Sequence, residues 1–264
     1  MRAAMATGSG DEPVARALQE APPALRLHDL TVAWRGHPAV HHLSGAFVAG
    51  RATAIVGPNG AGKSSLLAAI GGARVDWSGR IERDPALRVA WLPQASELDR
   101  SFPITVGEIV SMGLWARIGS LRGLRAEERA RTGEALRAVG LEGFSGRLLS
   151  ELSAGQLQRA LFARLLLQDA ELILLDEPFN AIDARTTADL LSLLARWRAE
   201  ARTVIAVLHD LEQVRAHFDE VLLLAREPVA WGPTAQVLQA AHLFRARQIA
   251  EAWDDQAGVC RRAA

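Results

Sequence analysis

The chain has 264 residues, 49% of them hydrophobic, and its 30 basic and 30 acidic side chains cancel. That length holds one large domain or two small ones with a real core, and zero net charge gives no bulk attraction to nucleic acid. A single Cys260 excludes an intrachain disulfide and a cysteine-rich metal cluster. No apolar run approaches the roughly 18 residues that cross a bilayer, and Asp11, Glu12 and Arg16 interrupt any secretory region. The expectation is a soluble, cytoplasmic protein, with room for docking on a partner that is not soluble.

Residues 1–23 are rich in Ala, Gly, Ser and Pro without periodicity and read as a disordered leader. Leu25, Leu27, Leu30, Val32 and Trp34 alternate as in a half-buried strand with one register adjustment. A turn at Gly36-His37-Pro38 and a strand near 43–48 follow. The apolar run 51–56 predicts a strand, and 63–70 a helix after a glycine-rich loop. Short strands are expected at 79–82 and 88–92. The pattern then turns helical at 105–114, 126–139 and 156–168, an inserted helical subdomain over about 97–165. Strands at 172–175, 203–208 and 221–224 surround a helix at 186–197. The fold class is therefore α/β: a mostly parallel sheet with flanking helices, an N-terminal antiparallel β subdomain and an inserted α-helical subdomain. It spans 24–250, with a tail at 251–264.

Of the 30 basic residues only Lys63 is a lysine. It lies in Gly57-Pro58-Asn59-Gly60-Ala61-Gly62-Lys63-Ser64, followed by Ser65, which fits G-x-x-x-x-G-K-[ST] at every fixed position. A compact ammonium on a flexible stem reaches β- and γ-phosphates where a planar guanidinium is too large. The glycines let backbone N–H groups form an anion-binding nest, and the following helix aims its positive end at the phosphates. Ser64 supplies a hydroxyl for Mg²⁺. These residues imply a P-loop core that binds a nucleoside triphosphate. The strand at 172–175 ends in Asp176-Glu177, placing Asp176 beside the Mg²⁺, through water or Ser64, and Glu177 where a carboxylate polarises water.

Leu152-Ser153-Ala154-Gly155-Gln156 resembles the LSGGQ signature of ATP-binding-cassette ATPases, and the other marks of that family fall in order. Gln94 matches the Q-loop glutamine, which in that family also meets the Mg²⁺. Asn180-Ala181-Ile182-Asp183 matches the D-loop, and His209 the switch histidine that senses the γ-phosphate. Trp34 stands where an aromatic stacks on adenine. The resemblance runs from about residue 25 to 238. It implies ATP and Mg²⁺ as cofactors and a homodimer, because Ser153 and Gly155 of one subunit would complete the nucleotide site of the other. Three positions depart from the pattern: Ala154 for a glycine, Asn180 for the more usual serine, and Trp34 for tyrosine, a residue this chain lacks. The methyl of Ala154 is tolerable unless its φ is positive, and the indole keeps a stacking face.

A single cassette without a fused membrane segment or a long coiled coil fits the separate ATPase subunit of an importer, peripheral on the cytoplasmic face of the inner membrane. Its partners would be integral permease subunits and, indirectly, a periplasmic metal-binding protein, with no nucleic acid. Residues 101–113 resemble the stretch after the Q-loop in zinc, manganese and iron importers. Residues 156–168 and 227–233 resemble ATPases of bacterial zinc importers, the AztA type in particular. Zinc is the favoured cargo, ahead of manganese and siderophore-bound iron; an Fe–S assembly ATPase is the soluble alternative. His37, His41 and His42 lack metal-ligand spacing and read as exposed loop histidines. Arg122, Arg125, Arg129 and Arg131, mixed with Glu127 and Glu128, read as a solvated helix face.

The arginine bias yields a prediction. Bulk rather than charge limits the phosphate loop, so Lys63→Arg loses nucleotide affinity and ATPase activity almost as completely as Lys63→Ala. Near-normal values for Lys63→Arg contradict it.

Overall fold

Strand β1 (Pro23–Trp34) pairs antiparallel with β2 (His37–Val48) on one side and β4 (Asp76–Arg83) on the other. The apolar alternation along β1 slips more than once. Register shifts lie on both sides of Leu30, and Asp29 there takes a left-handed φ of 49°. The computed structural model describes residues 22–34, 37–94, 98–119, 122–180 and 182–251. The leader through residue 21, Gly36 of the expected turn, Ala181, and the tail from 252, Cys260 included, lie outside the described residues.

The second sheet has six strands in the order β5-β6-β7-β3-β8-β9. These are β5 (Val89–Leu92), β6 (Leu172–Asp176), β7 (Thr203–Val207), β3 (Ala52–Val56), β8 (Glu220–Ala225) and β9 (Glu227–Pro233). All neighbours are parallel except β8 and β9. Ile55, Leu172, Leu174, Ile205, Val207, Leu222 and Leu224 project into one apolar cluster with Leu25, Leu30 and Phe47 of the small sheet. Their alternates Ala54, Val56, Ile173, Leu175, Val204, Ala206, Val221 and Leu223 project into a second cluster with the helices. Burial on both faces is why these strands read as unbroken apolar runs. Each fully buried Leu or Ile contributes roughly 1.5–3 kcal/mol, which makes the sheet a stiff platform for whatever follows its strand ends.

Helix α1 (Lys63–Gly71) follows β3. The expected helix at 105–114 is shorter: α2 (Val106–Ser111) tightens into a 3-10 turn at Met112–Leu114, and α3 (Trp115–Ile118) follows. Thr105 caps α2 by accepting from the Glu108 amide at 3.2 Å, while its own amide donates to the Glu108 carboxylate at 2.8 Å. That amide, and then the Thr105 hydroxyl, hold the Glu108 carboxyl below the ordinary glutamate range. Then come α4 (Ala126–Ala138), α5 (Ala154–Gln168) and α6 (Ala184–Ala199). Beyond them α7 (Leu211–His217), α8 (Thr234–Val237), α9 (Ala240–Glu251) and strand β9 have no counterpart in the sequence reading.

Two readings are corrected. His37, His41 and His42 are not loop residues: β2 begins at His37, and only His37 of the three is exposed. The His41 amide donates to the Arg226 carbonyl at 2.7 Å, and His42 Nδ1 lies 2.9 Å from Asp29 Oδ1. Nor is the arginine-rich stretch uniformly solvated. Glu128 is buried, paired with the Arg122 guanidinium and accepting from the Arg125 amide, because it closes the first turn of α4.

The run at 227–233, quoted above for its likeness to zinc-importer ATPases, has a packing role. Trp231 lies against Phe47 with ring centroids 4.7 Å apart, and a Cβ on Gly45 would sit 2.4 Å from its ring. The indole thus fixes the small sheet to the large one.

Candidate active site

Four adjacent parallel strands end on one edge of the large sheet: β3, β7, β6 and β5. After β3 comes the phosphate loop, after β7 His209, after β6 Glu177, and two residues after β5 the half-buried Gln94. Ligands of open α/β sheets bind at this edge, and the topology alone gathers these motifs there.

The phosphate loop is shaped by its neighbours. A Cβ on Gly57 (φ 153°) would lie 1.9 Å from the Leu224 carbonyl oxygen, and one on Gly62 (φ 86°) 2.2 Å from that of Ala39. Glycine is therefore required twice, by left-handed backbone and by contact. The Arg226 amide donates to the Ala61 carbonyl at 3.2 Å, so β2, Arg226 and the loop form one hydrogen-bonded chain. Gly62 caps α1 without a side chain, which leaves the first-turn amides free of a side-chain cap and open to an anion.

Lys63 is 6% exposed, and its ammonium donates to the Gly57 and Pro58 carbonyls at 3.0 and 2.9 Å. Burial pushes this ammonium below the ordinary lysine value, while Glu177 and then Asp176 pull the other way. Ser64 Oγ donates to Asp176 Oδ1 at 3.0 Å. The hydroxyl and the buried carboxylate form the hard oxygen pair that suits Mg²⁺.

Glu177 adopts a left-handed φ of 47°, a conformation that costs a non-glycine residue about 1–2 kcal/mol. Its amide continues the β6–β7 ladder by donating to the Val207 carbonyl at 3.2 Å, which holds it there. The side chain is 18% exposed. Oε1 lies 2.8 Å from His209 Nε2, and Oε2 accepts from the Asn180 side-chain amide. For the first contact to be a hydrogen bond, Nε2 must carry the imidazole proton.

A second group forms at the starts of α5 and α6. Ser153 caps α5, accepting from the Gln156 amide at 3.2 Å, while Gln156 Oε1 accepts from the Ser153 amide at 3.0 Å. Ala154 is the first helical residue and lies outside the left-handed region, so its methyl strains nothing. A Cβ on Gly155 would make ordinary contacts of 3.4 Å with Thr186 and 3.5 Å with Asp183. Asp183 caps α6, and the Thr186 amide and hydroxyl hold its carboxyl below the ordinary aspartate value. The predicted site residues thus fall into two groups: residues 57–65, Gln94, Asp176, Glu177 and His209 at the sheet edge, and Ser153, Gly155, Gln156 and Asp183 at the ends of two helices. Trp34 ends β1, its backbone paired with His37; its ring lies outside the description.

Sequence reasoning missed the tie between the two groups, made by Gln158, and the tie between α5 and α6, made by Arg159. Gln158 Nε2, buried on α5, donates to the Pro178 carbonyl at 2.7 Å. Arg159 donates to Thr186 at 3.1 Å and to Asp189 at 2.8 Å. A single polar residue on an apolar helix face, as at Gln158, is the only signal that could have marked them. Among the described residues no three His, Cys, Asp or Glu side chains are arranged to hold a metal ion by themselves.

Residues 40–180 match the family model described as ABC transporter. The manganese transport system ATP-binding protein MntB of Listeria innocua is 38% identical, aligned over 80% of this chain and 91% of its own. The zinc transport system ATP-binding protein TroB of Treponema pallidum is 39% identical over 84% and 86%. A solved structure described as a metal-chelate type ABC transporter in an inward-facing conformation superposes with TM-score 0.74 at 29% identity, covering 85% of this chain and 90% of that one. Family model, relatives and fold agree with the motifs at the sheet edge: the chain is an ATP-binding, ATP-hydrolysing subunit of the ABC transporter family.

Proposed function

We propose that this subunit energises a bacterial importer of zinc or a closely related divalent metal, working as a homodimer beneath separate membrane permease subunits. The observation that carries the metal assignment is the pair of relatives, named for manganese and zinc transport, that align over at least 80% of the chain. Manganese has equal standing on identity alone; the likeness at 227–233 tips the choice to zinc. No helix among the described residues is long and apolar enough to cross a membrane, which supports a separate permease. A periplasmic metal-binding protein would select the ion, since ligand set and geometry discriminate metals.

In this reading Lys63 and the amides of the phosphate loop take the β- and γ-phosphates, exchanging the ammonium's contacts with Gly57 and Pro58 for stronger anionic acceptors. Ser64 and Asp176 would hold Mg²⁺, which neutralises phosphate charge, with Gln94 near it. Glu177 orients a water for attack on the γ-phosphorus and accepts its proton, and His209 fixes the carboxylate and faces the γ-phosphate. Trp34 stacks on adenine. Ser153, Gly155 and Gln156 of the second subunit close the site with helix N-terminal amides, and Asp183 lies at the same interface.

Two predictions follow from these roles. Glu177→Gln retains ATP binding, loses hydrolysis by about 10²–10⁴-fold, and elutes as an ATP-stabilised dimer on sizing chromatography. A monomer that still turns over ATP excludes the role. For the cargo, deletion of the gene produces a growth defect under chelation that zinc relieves and manganese or iron does not. Relief by manganese alone reassigns the ion, and defective Fe–S enzymes without a metal phenotype favour the soluble alternative.

A further inference from the structure

The start of α5 is held by a part of the chain far from it in sequence. The segment between β5 and α2 runs antiparallel to the segment that leads into α5. Thr105 bridges Leu148, the Leu149 amide donates to the Ile104 carbonyl at 3.0 Å, and the Val106 amide donates to the Arg147 carbonyl at 2.8 Å. Beyond the end of this pairing stands the half-buried Arg100, whose guanidinium donates to the Leu149 carbonyl at 3.4 Å and to the Leu152 carbonyl. Leu149 opens a 3-10 turn, and Leu152 is the residue before Ser153.

Among the described residues no carboxylate pairs with Arg100, so two backbone oxygens alone receive its charge. That charge lies beside the positive end of a helix, a placement the helix dipole disfavours. An anion at the helix end reverses the sign, because guanidinium and dipole then attract it together. The fold itself has no need of a cation here. Leu149 and Leu152 are anchored by side chains only 2% and 3% exposed, and Ser153 caps the helix with its own hydroxyl. The placement answers to a ligand of α5 rather than to the stability of the turn.

We propose that Arg100 is a positioning residue of the nucleotide site. By gripping the Leu149 and Leu152 carbonyls it sets the direction of the first α5 amides and adds positive charge behind them, for the triphosphate held by a second subunit. The assignment rests on the reading of the chain as a homodimer in which the α5 end completes the partner's site. Position in sequence suggests the opposite half, because Arg100 follows closely on Gln94, which belongs to the sheet edge of its own chain.

The test uses the full chain. Arg100→Ala removes the side chain, and Arg100→Met keeps an apolar stem without charge or donors. Each is expected to lower kcat about tenfold, the worth of one hydrogen bond from a charged group. The dilute monomer should bind MgATP with the parent affinity, and the thermal midpoint should not move. Arg100→Lys, which keeps a charge and a donor, should recover most of the rate. Complementation then assigns the half. Mixed with a Lys63→Ala chain, Arg100→Met regains hydrolysis, because one site of the mixed dimer joins its sound sheet edge to a sound α5 end. Mixed with a Ser153→Arg chain it gains nothing. The reverse pattern places Arg100 at the sheet edge and overturns the proposal, as do a gain with neither partner, a gain with both, or a parent kcat in both variants. A Glu177→Gln chain that stays monomeric with ATP removes the homodimer, and this assignment falls with it; one that dimerises leaves the mixtures to decide.

Discussion

Two backbone carbonyl oxygens, of Ala39 and Leu224, press on the phosphate loop so closely that no side chain fits at Gly62 or Gly57. One comes from the small antiparallel sheet and the other from the strand beside β3, so the loop takes its shape only where the two sheets meet. That meeting is fixed by Trp231 against Phe47 and Gly45, and by the Arg226 backbone, which bonds to His41 on one side and Ala61 on the other. The anion-binding nest is therefore a product of inter-sheet packing as much as of its own glycines. Disturbance at β9 or at the start of β2 should reach the nucleotide through these contacts rather than through any catalytic side chain.

The electrostatics of the edge follow from burial. Lys63 is taken out of water, which disfavours its charge, and is compensated by Glu177 and Asp176 and by two loop carbonyls. Asp176 is buried with the Ser64 hydroxyl on one oxygen. A polyphosphate with its metal fits this balance, because it adds negative charge beside the ammonium and positive charge beside the carboxylate. The exposed ion pairs elsewhere, such as Arg137 with Glu142, add little, since solvent screens them.

The strands and motifs were legible because their signals are local. Apolar runs buried on both faces, a glycine pattern before a helix, and acids at a strand end each declare themselves within a few residues. What stayed hidden depends on residues far apart in sequence. The strand β9 contains two prolines, Pro228 and Pro233, and carries no alternation to mark it. The histidines of β2 read as loop because Pro38 suggested a turn, yet edge strands tolerate proline. Glu128 looked like one more surface acid, and only its position at the start of α4 turns it inward. The helix expected at 156–168 starts two residues earlier, at Ala154, whose φ is not positive and whose methyl is therefore harmless. The contact of Gln158 with Pro178, by contrast, exists only once α5 lies across the end of β6, and the local sequence offers no more than one polar residue on an apolar helix face.

In the proposed homodimer the nucleotide site is divided between two chains, with the sheet edge of one facing the α5 end of the other. Mixing a Lys63→Ala chain with a Ser153→Arg chain tests it most directly, because the mixed dimer contains one site with both halves intact. Each variant alone is expected to be inactive, and the mixture to hydrolyse ATP well above the sum of the two. A mixture that forms dimers yet stays as inactive as its components would contradict it.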